Sequence, residues 1–350
     1  LGHVNLIQRA SGIVDKLYVV VSYSDDKDLE TFSNSRFIKE ITPKDRLRFI
    51  KQTFKNQKNI HSFLFDESSC PPFPEGWEQW SSLLKKEIEV REPDVIWEDE
   101  ILFISNRHED KDYNLKYFGS QTKSIDPEYL EYNVNSIEIR KNPSKYWNFL
   151  PREVREHLIP LITICGGESS GKSVMVDKLA NVFNTSSAWE YGREYVFEKL
   201  GGDEDSLQYS DYEKIVFGHQ TNVLYAARNA NKFALIDTDY IATLAFCLTY
   251  EKRDNPIVRE FVNNYRFDLT ILLENNVKWV SDGLRSIGQE ERRMNFQNLL
   301  KKLYAEYNIP YITVASNNYE KRYLACKAII KAYLDGADNS ELQKISDSFN

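Results

Sequence analysis

The sequence predicts an α/β protein of two domains, each built on a mainly parallel sheet. Short β-branched runs alternate with helical patterns in two separate series along the chain, as parallel βαβ units require. Between the series, Lys141 to Pro160 carries Pro143, Pro151 and Pro160 among aromatic and charged residues and reads as a connection. With 350 residues, 41% of them apolar, there is enough core material for one large or two ordinary domains. The expected domains span residues 1–150 and 158–335.

In the first series, Val4 to Ala10 has helical spacing and Lys16 to Val21 is a buried-strand run. Pro43 to Phe54 is amphipathic, with Thr42 as cap and Pro43 at the first helical position. Ile60 to Phe65 reads as a strand and Trp77 to Ile88 as a helix after a proline-rich turn. Val95 to Trp97 and Ile101 to Ser105 read as short strands. In the second series Leu161 to Cys165 is a strand, Lys172 to Phe183 a helix and Phe233 to Ile236 a strand. Asp268 to Leu273 and Tyr311 to Ala315 are further strands. Gln289 to Tyr307 and Asn318 to Leu334 are helices, and the polar tail after Asp335 is expected to fray.

Composition narrows the function. The net charge is -8 and the two signs are interleaved, so the basic stripe that binds a long nucleic acid is missing. A pocket for a few phosphates needs no such stripe. No run approaches the roughly 18 apolar residues of a membrane helix. Four scattered cysteines lack metal-ligand spacing and suit a reducing, cytoplasmic setting. Oligomeric state is left open.

The strongest chemical signal is Gly166-Gly167-Glu168-Ser169-Ser170-Gly171-Lys172-Ser173, which fits G-x-x-x-x-G-K-[ST] with a strand before it and a helix after. Backbone N–H groups of such a P-loop bind the phosphates of ATP. Lys172 is expected at the β- and γ-phosphates, and Ser173 on Mg²⁺. A P-loop needs an acidic partner on a neighbouring strand. The run ending Asp237-Thr238-Asp239 offers two carboxylates, one for Mg²⁺ and one to accept a hydroxyl proton. Both lie on one side if the chain stays extended. Arg285 and Arg292 suit a lid over the transferring phosphoryl group. Trp189 to Tyr195 mixes aromatics with Glu190 and Arg193, as a flat ring carrying a ribose would require.

These residues, together with Asn184 to Glu194, Gly201 to Glu204 and Gln208 to Tyr212, resemble the NadR-type bifunctional proteins. That family pairs a Rossmann-like nicotinamide-nucleotide adenylyltransferase domain with a P-loop ribosylnicotinamide kinase domain. The resemblance covers nearly the whole chain and is most specific over about residues 160 to 330. It implies phosphorylation of nicotinamide riboside to nicotinamide mononucleotide by ATP. It also implies a second step, adenylyl transfer to nicotinamide mononucleotide, that yields NAD. By resemblance Glu190, Arg193 and Tyr195 belong to the riboside site, Asp237 or Asp239 to hydroxyl activation, and Ser173 with Asp237 to the metal.

The first domain departs from the family pattern. Of its first signature only Gly2-His3 remains, so the first strand and first His are absent and further sequence is expected upstream of Leu1. The second signature falls on Val134 to Arg140, where Asn135 and Ile137 replace two hydroxyl residues. Ser136 and Arg140 remain, and Trp77 and Trp80 resemble the nicotinamide-side loop. Impaired adenylyl transfer is therefore expected. Two alternatives follow: a generic P-loop nucleoside kinase, and a protein whose first domain senses NAD without catalysis.

Overall fold

The computed structural model describes the chain apart from residues 37–38, 108, 127, 129 and 278–289. It divides into two compact units, Leu1–Leu158 and Ile159–Asn350.

In the first unit, β1 (Leu17–Tyr23) pairs in parallel with β2 (Ile60–Asp66), from Leu17 opposite Ile60 to Tyr23 opposite Asp66. The helix Pro43–Thr53 lies in the crossover and begins as expected. The Thr42 side chain accepts from the Asp45 N–H while Asp45 returns the bond, and Pro43 fills the first turn. A second parallel pair joins β3 (Leu102–Ser105) to β4 (Gln121–Ser124). Its crossover helix, Asp110–Phe118, stops at Gly119, whose φ of 71° is left-handed. Among the described residues β1 and β3 belong to separate sheets. A cavity of about 1880 Å³ is lined by Leu17 to Ser22 of β1 and Leu102 to Ser105 of β3. Phe63, Phe65, Leu84, Ile88 and Phe118 form the core.

One strand expected here is not a strand. Trp97–Glu100 is a helical turn. The Glu100 carboxylate accepts from the Ile96 N–H at 2.9 Å, and the Trp97 ring stacks on Phe118 at 5.4 Å. A local side-chain acceptor and one aromatic contact outweigh the β preference of Val-Ile-Trp.

Among the described residues the second unit is built on a five-stranded, wholly parallel sheet. Its strands are β5 (Leu161–Gly166), β6 (Ser187–Ala188), β7 (Ala234–Asp237), β8 (Leu269–Leu273) and β9 (Ile312–Val314). Their spatial order is β6-β7-β5-β8-β9, which puts β5 in the centre. Both faces are covered, as parallel sheets require. Ile162 and Ile164 enter one core with Met175, Leu179 and Ile329, and Cys165 enters the other with Leu244, Phe296 and Tyr304.

The tail after Asp335 does not fray. Asn339–Asp347 is a helix, with a reciprocal cap between Asp338 and Glu341. Leu342 is fully buried in the first of those cores, with Ile345 and Phe349 packed beside it. The Gln343 side chain bonds the N–H of Thr313 at 2.9 Å and its carbonyl at 3.2 Å, and Ser346 Oγ donates to the same carbonyl. Three apolar residues at helical spacing outweigh a polar average. No helix among the described residues is long and apolar enough to cross a membrane.

Candidate active site

The P-loop leaves the end of β5 and opens the helix Lys172–Phe183. Two glycines are required by space and backbone. A Cβ on Gly166 (φ 153°) would lie 2.8 Å from the Leu273 carbonyl oxygen, and one on Gly171 (φ 87°) 2.6 Å from Tyr319 Cε1. Ser169 adopts φ 55°. The Gly167 N–H donates to Gln297 Oε1 at 3.1 Å, which ties the loop to the helix Glu290–Glu306. Gly167, Glu168, Ser170 and Lys172 are buried, while Ser169, Gly171 and Ser173 are half-buried.

β7 runs beside β5 with Asp237 opposite Ile164, so its carboxylate stands at the strand end next to the loop and is 1% exposed. The chain does not stay extended after it. Thr238 takes φ 75°, a left-handed conformation costly for a β-branched residue. Its N–H donates to the Ile164 carbonyl at 3.2 Å, and its own carbonyl accepts from Thr163 Oγ1 at 3.1 Å. The turn separates the two aspartates. Asp239 caps the helix Tyr240–Glu251: Oδ1 accepts from the Ala242 N–H at 2.9 Å and Oδ2 from the Tyr304 hydroxyl at 2.8 Å. Burial raises the Asp239 pKa above the usual carboxylate value, and those hydrogen bonds oppose the rise.

Glu190 and Arg193, at the start of the helix Tyr191–Lys199, line one cavity with Glu204, Tyr212, His219 and Thr238. Thr238 places this cavity next to Asp237. The Tyr212 hydroxyl is buried there without a hydrogen-bond partner among the described residues. His219 is within 3.3 Å of the Thr238 carbonyl, and burial lowers its pKa. Tyr195 does not line the cavity. Its hydroxyl donates to Asp211 Oδ1 at 2.8 Å, and Lys214 bonds the same oxygen at 2.9 Å. Arg292 is exposed on its helix, whereas Arg293 is buried and bonded to Asn275 Oδ1 and the Val277 carbonyl. Arg285 lies outside the described residues.

In the first unit His3, Trp77, Trp80, Ser136 and Arg140 line the large cavity. Gly2 is not in its lining, and a Cβ there would be 3.8 Å from Tyr132 Cβ. Trp77 stacks on Tyr113 with ring centroids 4.8 Å apart. His3 is exposed at its surface; desolvation by neighbouring protein, then the N-terminal ammonium, Arg140 and Arg107, lowers its pKa. Arg107, which also lines the cavity, was not singled out by sequence reasoning. Asn135 caps the helix Ser136–Lys141 by accepting from the Glu138 N–H at 2.8 Å, so its side-chain oxygen is already used. Ile137 is 60% exposed.

Other residues of the kinase-like site were also missed by sequence reasoning: Gln297, Tyr304, His219 and Arg322; Tyr212 lies in a segment that carried the resemblance but was given no role. Arg322 had a legible signal, because it falls on the stripe that buries Ala325, Cys326, Ile329 and Ile330 in the helix Tyr319–Asp335.

A model of the AAA domain matches residues 161–322. The trifunctional NAD biosynthesis/regulator protein NadR of Salmonella typhimurium is 46% identical over 330 residues, which are 94% of this chain and 79% of that protein. Its Escherichia coli counterpart, of the same name, is 45% identical over 332 residues with the same coverage. The fold matches crystal structures of a NadR protein in complex with NR, and in complex with NAD and AMP-PNP. Each gives a TM-score of 0.76 at 22% identity, over 96% of this chain and 93% of that one. Such identity across nearly the full chain makes this protein a member of the NadR family.

Proposed function

We propose that the second unit transfers the γ-phosphoryl group of ATP to the 5′-hydroxyl of nicotinamide riboside, giving nicotinamide mononucleotide and ADP. The observation that carries this reading is the registered pair of β5 and β7. It sets a buried Asp237 beside a complete P-loop in a NadR-family chain. The hydroxyl oxygen bonds to the γ-phosphorus, the bond to the β,γ-bridging oxygen breaks, and the hydroxyl proton passes to the Asp237 carboxylate. Asp237 is assigned this role over Asp239, whose two oxygens already hold a helix cap and the Tyr304 hydroxyl. Backbone N–H groups of the P-loop other than that of Gly167, which is bonded to Gln297, and the Lys172 ammonium hold the phosphates. Glu190 and Arg193 bind the riboside, and Arg285 and Arg292 cover the transferring group. The Ser173 hydroxyl suits a hard cation and would hold Mg²⁺, whose charge would neutralise the phosphates; Asp237, as the proton acceptor, is not assigned to the metal.

The first unit is proposed to transfer the adenylyl group of ATP to the phosphate of nicotinamide mononucleotide, forming NAD and releasing pyrophosphate. The cluster of His3, Arg107 and Arg140 around one cavity favours a phosphate-bearing ligand. Ile137 offers no hydrogen-bond donor and Asn135 is occupied as a cap, so this step is slow relative to the kinase. The alternative of a sensor with a generic nucleoside kinase is less well supported, because similarity to NadR proteins spans 94% of the chain. We place the chain in cytoplasmic NAD salvage, which its free, mostly buried cysteines suit. The test is an assay with ATP, Mg²⁺ and nicotinamide riboside that resolves both products. Mononucleotide is expected in excess of NAD. Phosphorylation of uridine or a deoxynucleoside, and not of nicotinamide riboside, would overturn the assignment.

A further inference from the structure

Arg322 is fully buried, and every hydrogen-bond acceptor it meets among the described residues is neutral. Nη1 donates to the Ser170 carbonyl at 2.9 Å, and Nη2 donates to the Glu274 carbonyl at 2.6 Å and to Asn276 Oδ1. Nε donates to the Ser316 carbonyl. The guanidinium therefore joins the P-loop to the chain following β8 and to the chain following β9. It stays protonated whatever its surroundings. The Glu274 carboxylate acts on it only through space and is itself bonded to Lys301 at 2.5 Å. A buried cation left without a counter-anion is costly, and four neutral acceptors relieve only part of the cost. The phosphate cradle stands on the other side of one peptide. The Ser170 carbonyl faces Arg322, and the N–H of that peptide belongs to Gly171, the residue that opens the helix behind the phosphate cradle. A charged donor on the carbonyl polarises the peptide and strengthens its N–H as a donor to phosphate.

We propose that Arg322 is a positioning residue of the nucleotide site, a buried cation that sets the Ser170–Gly171 peptide for phosphate and is balanced by the bound phosphates. This rests on the P-loop being the ATP site. The test measures binding of inorganic tripolyphosphate and of nicotinamide riboside to the full chain by calorimetry, for wild type, R322Q and R322K, alongside melting temperatures. R322Q keeps some hydrogen bonding and loses the charge, and its tripolyphosphate affinity should fall about tenfold to a hundredfold. Its riboside affinity should stay within about threefold, since no riboside contact is removed. R322K keeps the charge without the fork, so it should melt lower yet bind tripolyphosphate within about fivefold of wild type. A merely structural role would move the two variants alike, and equal losses in both overturn the proposal, as does wild-type affinity in R322Q. Should R322Q fail to fold, R322K decides alone, a loss beyond about fivefold counting against the proposal. Failure of the wild type to bind tripolyphosphate or ATP would instead remove the P-loop reading itself.

Discussion

Two aspartates two residues apart occupy different chemical positions, and replacing each separates them. Asp239→Ala removes a helix cap, worth about 1 kcal/mol, from the helix Tyr240–Glu251. It also strands the Tyr304 hydroxyl, which is 0% exposed, at a further cost of about 1–3 kcal/mol. The total is about 3 kcal/mol, and for a unit the size of Ile159–Asn350 that lowers the melting temperature by about 6–12 °C. Asp237→Asn is nearly isosteric and removes the proton acceptor at the strand end. Its kcat for mononucleotide formation should fall about 10²–10⁴-fold. Calorimetric melting and an initial-rate assay with ATP and nicotinamide riboside measure both effects on the same preparations. If Asp239→Ala melts like the wild type but does not turn over, or if Asp237→Asn turns over normally, the assignment of roles is wrong.

Three further outcomes follow from the same geometry. Because burial raises the Asp239 pKa, the folded chain keeps a proton that the unfolded chain releases above about pH 3.9. Stability therefore declines as pH rises from there through the folded value. Asp239→Asn should remove that part of the slope, and parallel wild-type and variant stability curves would disprove it. Tyr195→Phe loses one hydrogen bond to Asp211 and should cost about 1 kcal/mol, or about 2–4 °C, with KM for the riboside unchanged. A large KM increase at constant melting temperature would return Tyr195 to the binding site. Arg107→Met should reduce NAD formation from nicotinamide mononucleotide and ATP at least about tenfold while mononucleotide formation continues. Undiminished NAD formation would exclude Arg107 from that site.

What could be read from sequence was what local chemistry dictates. The Thr42-Pro43 helix start, the seven strand cores of Leu17–Tyr23, Ile60–Asp66, Leu102–Ser105, Leu161–Gly166, Ala234–Asp237, Leu269–Leu273 and Ile312–Val314, and the P-loop each carry their signal within a few residues. β6 has two residues and β4 is Gln-Thr-Lys-Ser, so neither offers a hydrophobic period to detect. The aspartate pair illustrates the limit at the site. Spacing predicted a shared face for an extended chain, and the left-handed Thr238 is imposed by Ile164, Thr163 and His219, which are distant in sequence. Tyr304 and Gln297 touch the site through tertiary packing alone, so no short motif announces them.

The bonds from Gln343 and Ser346 to Thr313 bear on how the sheet ends. β9 is an outer strand, and such a strand offers unpaired N–H and carbonyl groups to any extended chain that meets it. Here one glutamine side chain takes both polar groups of Thr313, as the backbone of a sixth strand would, while Leu342 anchors the helix that carries it. The last turns of this chain thus act as a guard on a sticky border. A version cut after Asp335 would keep its P-loop, Asp237 and acceptor cavity but present a bare strand beside an opened apolar core, and its molecules would join edge to edge.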